Sequence, residues 1–127
     1  MSDDVNNAYM EGLKAFGAGE HTTAVEHYDR ALGLDPDNVA VLNAKAMSLV
    51  QLERFDEAVA TVQRAIELDP EDPMLDTSLS IIYQRAGKID EAEAAAAQHR
   101  LKSWKQELKQ NPSAPPPQED TGFNVIQ

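Results

Sequence analysis

Apolar residues recur along this chain at spacings of three and four, which marks helices that each bury one stripe. Tyr9, Leu13 and Phe16 form one stripe, Asn43, Met47 and Val50 a second, and Met74, Thr77, Ile81 and Gln84 a third. Between the stripes lie stops: Gly17 and Gly19, the Asp35-Pro36 and Asp69-Pro70 pairs, and Gly87. Starts lie there too: Asn38, Asp72 ahead of Pro73, and Thr23 with Glu26 three residues on, a capping-box spacing. The pattern predicts six helices near residues 4–18, 22–34, 38–52, 54–68, 73–86 and 89–111, an all-α chain.

The helices come in pairs, because the sequence repeats itself. Ala24, Ala58 and Ala92 stand 34 residues apart, and so do the small residues Gly12, Ala46 and Ser80. Leu34-Asp35-Pro36 returns as Leu68-Asp69-Pro70, Arg30-Ala31-Leu32 as Arg64-Ala65-Ile66, and Asp56-Glu57-Ala58 as Asp90-Glu91-Ala92. Small residues in mid-helix predict close helix–helix approach, since a glycine there costs about 1 kcal/mol relative to alanine. A shared period of this length signals stacked helical hairpins.

On these residues the sequence resembles the tetratricopeptide repeat family. The first copy carries Gly12, Gly19, Ala24, Tyr28, Ala31, Leu32 and Pro36. The second carries Ala46, Leu49, Phe55, Ala58, Ala65 and Pro70, and the third Tyr83, Gly87 and Ala92. Four positions depart from the pattern. Glu11 and Lys45 fill a column where the family has leucine, His99 replaces the alanine of Ala31 and Ala65, and Trp104 stands where a third proline is expected. The resemblance implies a right-handed superhelical stack, an α-solenoid of three repeats over residues 5–38, 39–72 and 73–111. A short extension (1–4) precedes it, the last helix is an extended cap, and a proline-rich, disordered tail (112–127) follows. It further implies that the first helix of each repeat lines a concave groove that holds peptides or partner proteins.

The expected groove surface is Tyr9, Leu13, Phe16, Asn43, Met47, Val50, Met74, Thr77, Ile81 and Gln84, with Leu13, Met47 and Ile81 in register. Such a stripe serves either as core between repeats or as a seat for an apolar segment, amphipathic helix or extended strand, to which methionines adapt easily. Relatives that clamp a carboxylate do so with lysine, asparagine and arginine. The matching positions here are Tyr9, Leu13, Ala44, Met74 and Ser78, so a chaperone-tail clamp is not expected.

Charge changes the picture at the far end. Through Glu93 there are 19 acidic and 7 basic residues; from Ala94 to Asn111 the balance turns to +3 with Arg100, Lys102, Lys105 and Lys109. Ala94, Ala97, Leu101, Trp104 and Leu108 form a stripe on that last helix. It either caps the stack or offers a second interface of Leu101, Trp104, Lys105 and Leu108, for a homodimer or a larger complex. Beyond residue 111 the prolines read as a stiff spacer, ahead of the apolar Phe123, Val125 and Ile126.

Other chemistry is not expected. A net charge of −11 repels nucleic acid and anionic lipid, no cysteine is present, and no run of residues suits membrane insertion or a secretory signal. His21, His27 and His99 lack metal-ligand spacing, the turn carboxylates lack the pattern of a calcium loop, and the glycines form no phosphate loop. The expectation is a cytoplasmic, cofactor-free, non-enzymatic adaptor for a protein or peptide partner. A structural subunit docking through the last helix and a secretion-type chaperone are the alternatives.

Overall fold

A computed structural model of the chain describes residues 2–117, and among them six helices run in sequence. They are α1 (Asp3–Gly17), α2 (His21–Leu34), α3 (Val39–Gln51), α4 (Phe55–Leu68), α5 (Pro73–Arg85) and α6 (Ile89–Gln110). The odd-numbered helices start on side-chain caps. Ser2 accepts from the Val5 N–H, Asn38 from the Val41 N–H, and Asp72 from the Met74 N–H, with Pro73 in the first turn.

The even-numbered helices start differently. Each follows a Schellman turn that closes the helix before it, so no side chain is needed. In the first copy the Gly19 N–H reaches Phe16 O at 3.0 Å and the Glu20 N–H reaches Ala15 O at 2.9 Å. The same pair of bonds recurs from Glu53 and Arg54, and from Gly87 and Lys88. Thr23 therefore lies inside α2, whose cap position is Glu20, and the expected Thr23–Glu26 capping box does not form.

This turn needs one residue with positive φ. Gly19 (78°) and Gly87 (79°) supply it at no steric cost, but the middle copy uses Glu53 at 59°. Glu53→Gly is expected to stabilise the protein by about 1 kcal/mol, raising the urea midpoint. An unchanged or lower midpoint would mean that the left-handed turn carries no strain at Glu53.

Among the described residues the helices touch only their sequential neighbours, with α1 also meeting α3 and α3 meeting α5, so each hairpin leans on its neighbours. That is the right-handed superhelical stack of an α-solenoid, with α6 as its long terminal helix. Three apolar clusters follow one another along it: around Tyr28 between the first two hairpins, around Leu49 and Val62 in the middle, and around Leu75. Within each hairpin two facing positions trade volume. A Cβ on Gly12 would lie 2.3 Å from Tyr28 Cε1, so only glycine fits there. One period on, the positions hold Ala46 and Val62, and one further Ser80 and Ala96. As the first residue grows the second shrinks, as constant close packing requires.

The departures from the repeat pattern also find partners. Lys45 Nζ lies 2.7 Å from Asp29, and Glu11 lies 3.3 Å from Arg30 and 3.4 Å from His27, all across helix pairs at the surface. His99 Nδ1 sits 2.9 Å from Pro73 O and 2.8 Å from Thr77 Oγ1, fixing α6 to the start of α5. Among the described residues one ion pair is buried: Lys102 Nζ lies 2.7 Å from Asp76 Oδ2, and Asp76 is only 4% exposed.

Candidate partner-binding groove

The helices α1 and α3 lie side by side and leave a cleft of about 250 Å³ between them. Tyr9, Leu13 and Phe16 line it from α1, Ala40, Asn43, Ala44 and Met47 from α3, and the Tyr28 ring forms its floor. Leu13 is 37% exposed, while Tyr9, Phe16, Asn43 and Met47 are half-buried. The aromatic walls are held in place: Tyr9 packs against Tyr28 at 6.2 Å between ring centroids, and Phe16 meets His21 edge-on at 5.1 Å. Burial raises the Tyr28 phenol pKa to about 12; neighbouring Tyr9 adds to this, and the Ser48 hydroxyl offsets only part of it. The floor of the cleft is thus uncharged throughout the physiological pH range.

Met74, Thr77, Ile81 and Gln84 lie further along the same side. Ile81 is 40% exposed and Met74 stands out in solvent. Thr77, Ile81 and Gln84, with Ser80, Ala96, His99 and Arg100, line a second cleft of about 230 Å³ between α5 and α6. This is the first cleft carried two periods along the chain, where among the described residues no following helix forms its other wall. Its chemistry has changed: Thr77 and Gln84 stand where the first copy has Tyr9 and Phe16, and Arg100 where it has Leu32.

Val50 does not belong to the groove. It is 1% exposed and packs in the middle cluster beside Leu49, Val62 and Ile82, because α3 is sandwiched between two hairpins and buries more than one face. Ala40, Ala44 and Tyr28 are lining residues that the stripes did not single out. Two of them are alanines, which carry almost no periodic signal, and the third arrives from the partner helix. Of the positions matching a carboxylate clamp, Tyr9, Leu13 and Ala44 line the first cleft and Met74 is exposed, whereas Ser78 is buried. None carries a positive charge.

The last helix extends beyond α5, and Gln106 there donates to Glu71 O in the preceding turn. Leu101, Trp104 and Leu108 are half-buried and Lys105 is exposed. Trp104 is engaged within the chain. After Asn111 the backbone turns, the Ala114 N–H reaches Asn111 O at 3.0 Å, Ala114 is buried, and Trp104 Nε1 donates to Ala114 O at 3.1 Å. Phe123, Val125 and Ile126 lie outside the described residues. Among the described residues no three His, Cys, Asp or Glu side chains are grouped to hold a metal ion, and no helix is long and apolar enough to cross a membrane.

Paired helices in this register, with a hollow on the side of the first helices, define a helical-repeat protein. The tetratricopeptide repeat model matches residues 9–73, about half of the chain, and the chain belongs to the tetratricopeptide repeat family. Among curated relatives, the Protein STIP1 homolog of Dictyostelium discoideum is 35% identical over 78 residues, 61% of this chain and 14% of that protein. The Photosystem I assembly protein Ycf3 of Synechococcus sp. (strain CC9902) is 29% identical over 99 residues, 76% of this chain and 56% of that one. The chain thus spans about half of one relative and a small part of the other. Among solved structures, the TPR2B-domain:pHsp70 complex of yeast Sti1 superposes with a TM-score of 0.75 at 23% identity, over 86% of this chain and 93% of that one.

Proposed function

We propose that this protein is a non-catalytic adaptor of the cytoplasm that holds an apolar segment of a partner protein in its concave hollow. One observation carries the reading: Tyr9, Leu13, Phe16, Asn43, Met47 and their neighbours form an open cleft on the inner side of the stack, uncharged and mostly apolar, with Asn43 and the Tyr9 and Tyr28 hydroxyls as its polar groups. An exposed Leu13 in such a cleft is a seat for someone else's side chain, since burying it costs the stack nothing and frees apolar area from water. The similarity to a repeat domain solved in complex with pHsp70 supports peptide holding in general. The lack of any cation at the matching positions favours an apolar ligand over a carboxylate tail. Docking through Leu101, Trp104, Lys105 and Leu108 is less favoured, because the Trp104 N–H is already spent on Ala114.

Peptides selected on the intact protein from a displayed random library provide the test. Leu13→Glu and Met47→Glu together are expected to weaken them at least about 30-fold, because a charge then faces an apolar ligand. Leu101→Glu with Leu108→Glu is expected to leave them unchanged. The opposite ranking, measured by titration calorimetry, would move the site to α6.

A further inference from the structure

We infer that the two open ends of the stack fit each other: α6 of one chain seats against α1 of a second chain, head to tail, as α2 seats against α3 within the chain. The inference does not depend on what the hollow holds. Within the chain α3 leans on α2 and α5 on α4, whereas α1 has no helix before it among the described residues. Its bare face carries Asn7, Met10, Glu11 and Lys14, all exposed, beside a hollow of about 430 Å³. At the other end, the cleft between α5 and α6 lacks its second wall. The α2–α3 junction supplies the register. Lys45 meets Asp29 at 2.7 Å, Leu32 clusters with Val39 and Leu42, and Val25 with Leu49, so the two helices run antiparallel. Two periods on, Val25, Tyr28, Asp29 and Leu32 become Glu93, Ala96, Ala97 and Arg100 on α6. One period back, Ala44, Lys45 and Ser48 become Met10, Glu11 and Lys14 on α1.

Size and charge both match in that register. At the first junction the small Ala44 packs against the cluster of the large Tyr28, and at the second the same positions hold Ser78 and Val62, both buried. Between chains they hold Met10 and Ala96, so the methionine left 54% exposed at one end meets the space that an alanine leaves at the other. Glu93 falls level with Ala15 and beside Lys14, and Arg100 falls at the start of α1, beside Asp3 and Asp4. None of these charged side chains has an ion-pair partner among the described residues. Glu11 keeps Arg30 and His27 and faces only Ala97. The ends thus carry opposite charges in matching order, which selects this pairing over others. A two-fold pairing of α1 with α1 sets Met10 against Met10 and leaves the second cleft without its wall. Head-to-tail contact uses two different surfaces, so it does not close at two chains. The net charge of −11 on each chain opposes it and keeps it weak.

The chain has no cysteine, so single cysteines report the contact cleanly. Met10→Cys and Ala97→Cys are made separately in the full chain, mixed in equal amounts and equilibrated in a glutathione redox buffer. The product joining the two variants is expected to exceed each self-linked product at least about fivefold, where random encounter gives about twofold. Sedimentation velocity of the native chain at about 0.5 mM is expected to show dimers, trimers and longer species in one concentration-dependent series. Lys14→Glu or Glu93→Lys alone is expected to weaken association about fivefold, and the two combined in one chain to restore it to within about twofold. Both positions are exposed, so the fold tolerates either change. The inference is overturned if the chain stays monomeric at that concentration, if association stops at a dimer, if the mixed product stays at the random ratio, or if the double exchange fails to restore association. Loss with Lys14→Glu but not with Glu93→Lys overturns it in favour of an α1–α1 dimer. The adaptor reading of the hollow stands in every case.

Discussion

Gly12→Ala is expected to lower stability by about 3 kcal/mol, seen as a fall of roughly 15 °C in Tm. Helix propensity alone argues the other way, since alanine is preferred over glycine in mid-helix by about 1 kcal/mol. Packing decides the sign. The new Cβ would sit 2.3, 2.6 and 2.9 Å from three carbons of the Tyr28 ring, distances that atoms do not tolerate. Tyr28 is fully buried in the first cluster, and its ring can move only toward the cleft whose floor it forms, which breaks its packing against that cluster. The second copy offers its own remedy in Ala46 opposite Val62. Tyr28→Val alone should cost about 3 kcal/mol for lost burial. Adding Gly12→Ala to it should cost almost nothing more, a coupling of about 3 kcal/mol between the two positions. Urea unfolding of the two single variants and the pair measures that coupling, and simple additivity would show that the close approach is not the reason for the glycine.

The second large effect concerns the buried ion pair. Removing Lys102 with alanine is expected to cost about 3 kcal/mol or more, because Asp76 then keeps a charge inside the protein with no partner. The contact between them is one of charge at 2.7 Å rather than an aligned hydrogen bond, and no other cation stands against Asp76 among the described residues. Replacing both, Asp76→Leu with Lys102→Met, should restore stability to the native value or above it, since two charges no longer have to be desolvated. Thermal unfolding of the single and double variants tests this. A Lys102→Ala protein as stable as the native one would show that water reaches Asp76.

Much of the architecture was legible because the period is carried by residues with local consequences. The Schellman glycines, the cap residues Asn38 and Asp72, and the small residues at Gly12, Ala46 and Ser80 fix helix ends and close approaches without reference to distant contacts. The six helices fall within about a residue of their expected limits. The Thr23–Glu26 box failed for a local reason as well: the turn before α2 satisfies its own backbone, so the helix begins three residues earlier than a Thr23 cap would start it. The groove was legible where one face is clearly amphipathic, as for Tyr9, Leu13 and Phe16. Along α3 it was not, because a helix apolar nearly all round gives periodicity no preferred direction, and Val50 turned inward. The Asp76–Lys102 pair could not be read at all. It depends on which side chains meet across helices, and no spacing along the chain encodes that.

The volume trade between Gly12 and Tyr28, Ala46 and Val62, and Ser80 and Ala96 gives every hairpin a private lock. Copies that look interchangeable in the alignment of the chain with itself are not interchangeable as parts. A protein that paired the first rod of one copy with the second rod of another would meet either a collision or a void, so shape enforces which two rods are partners.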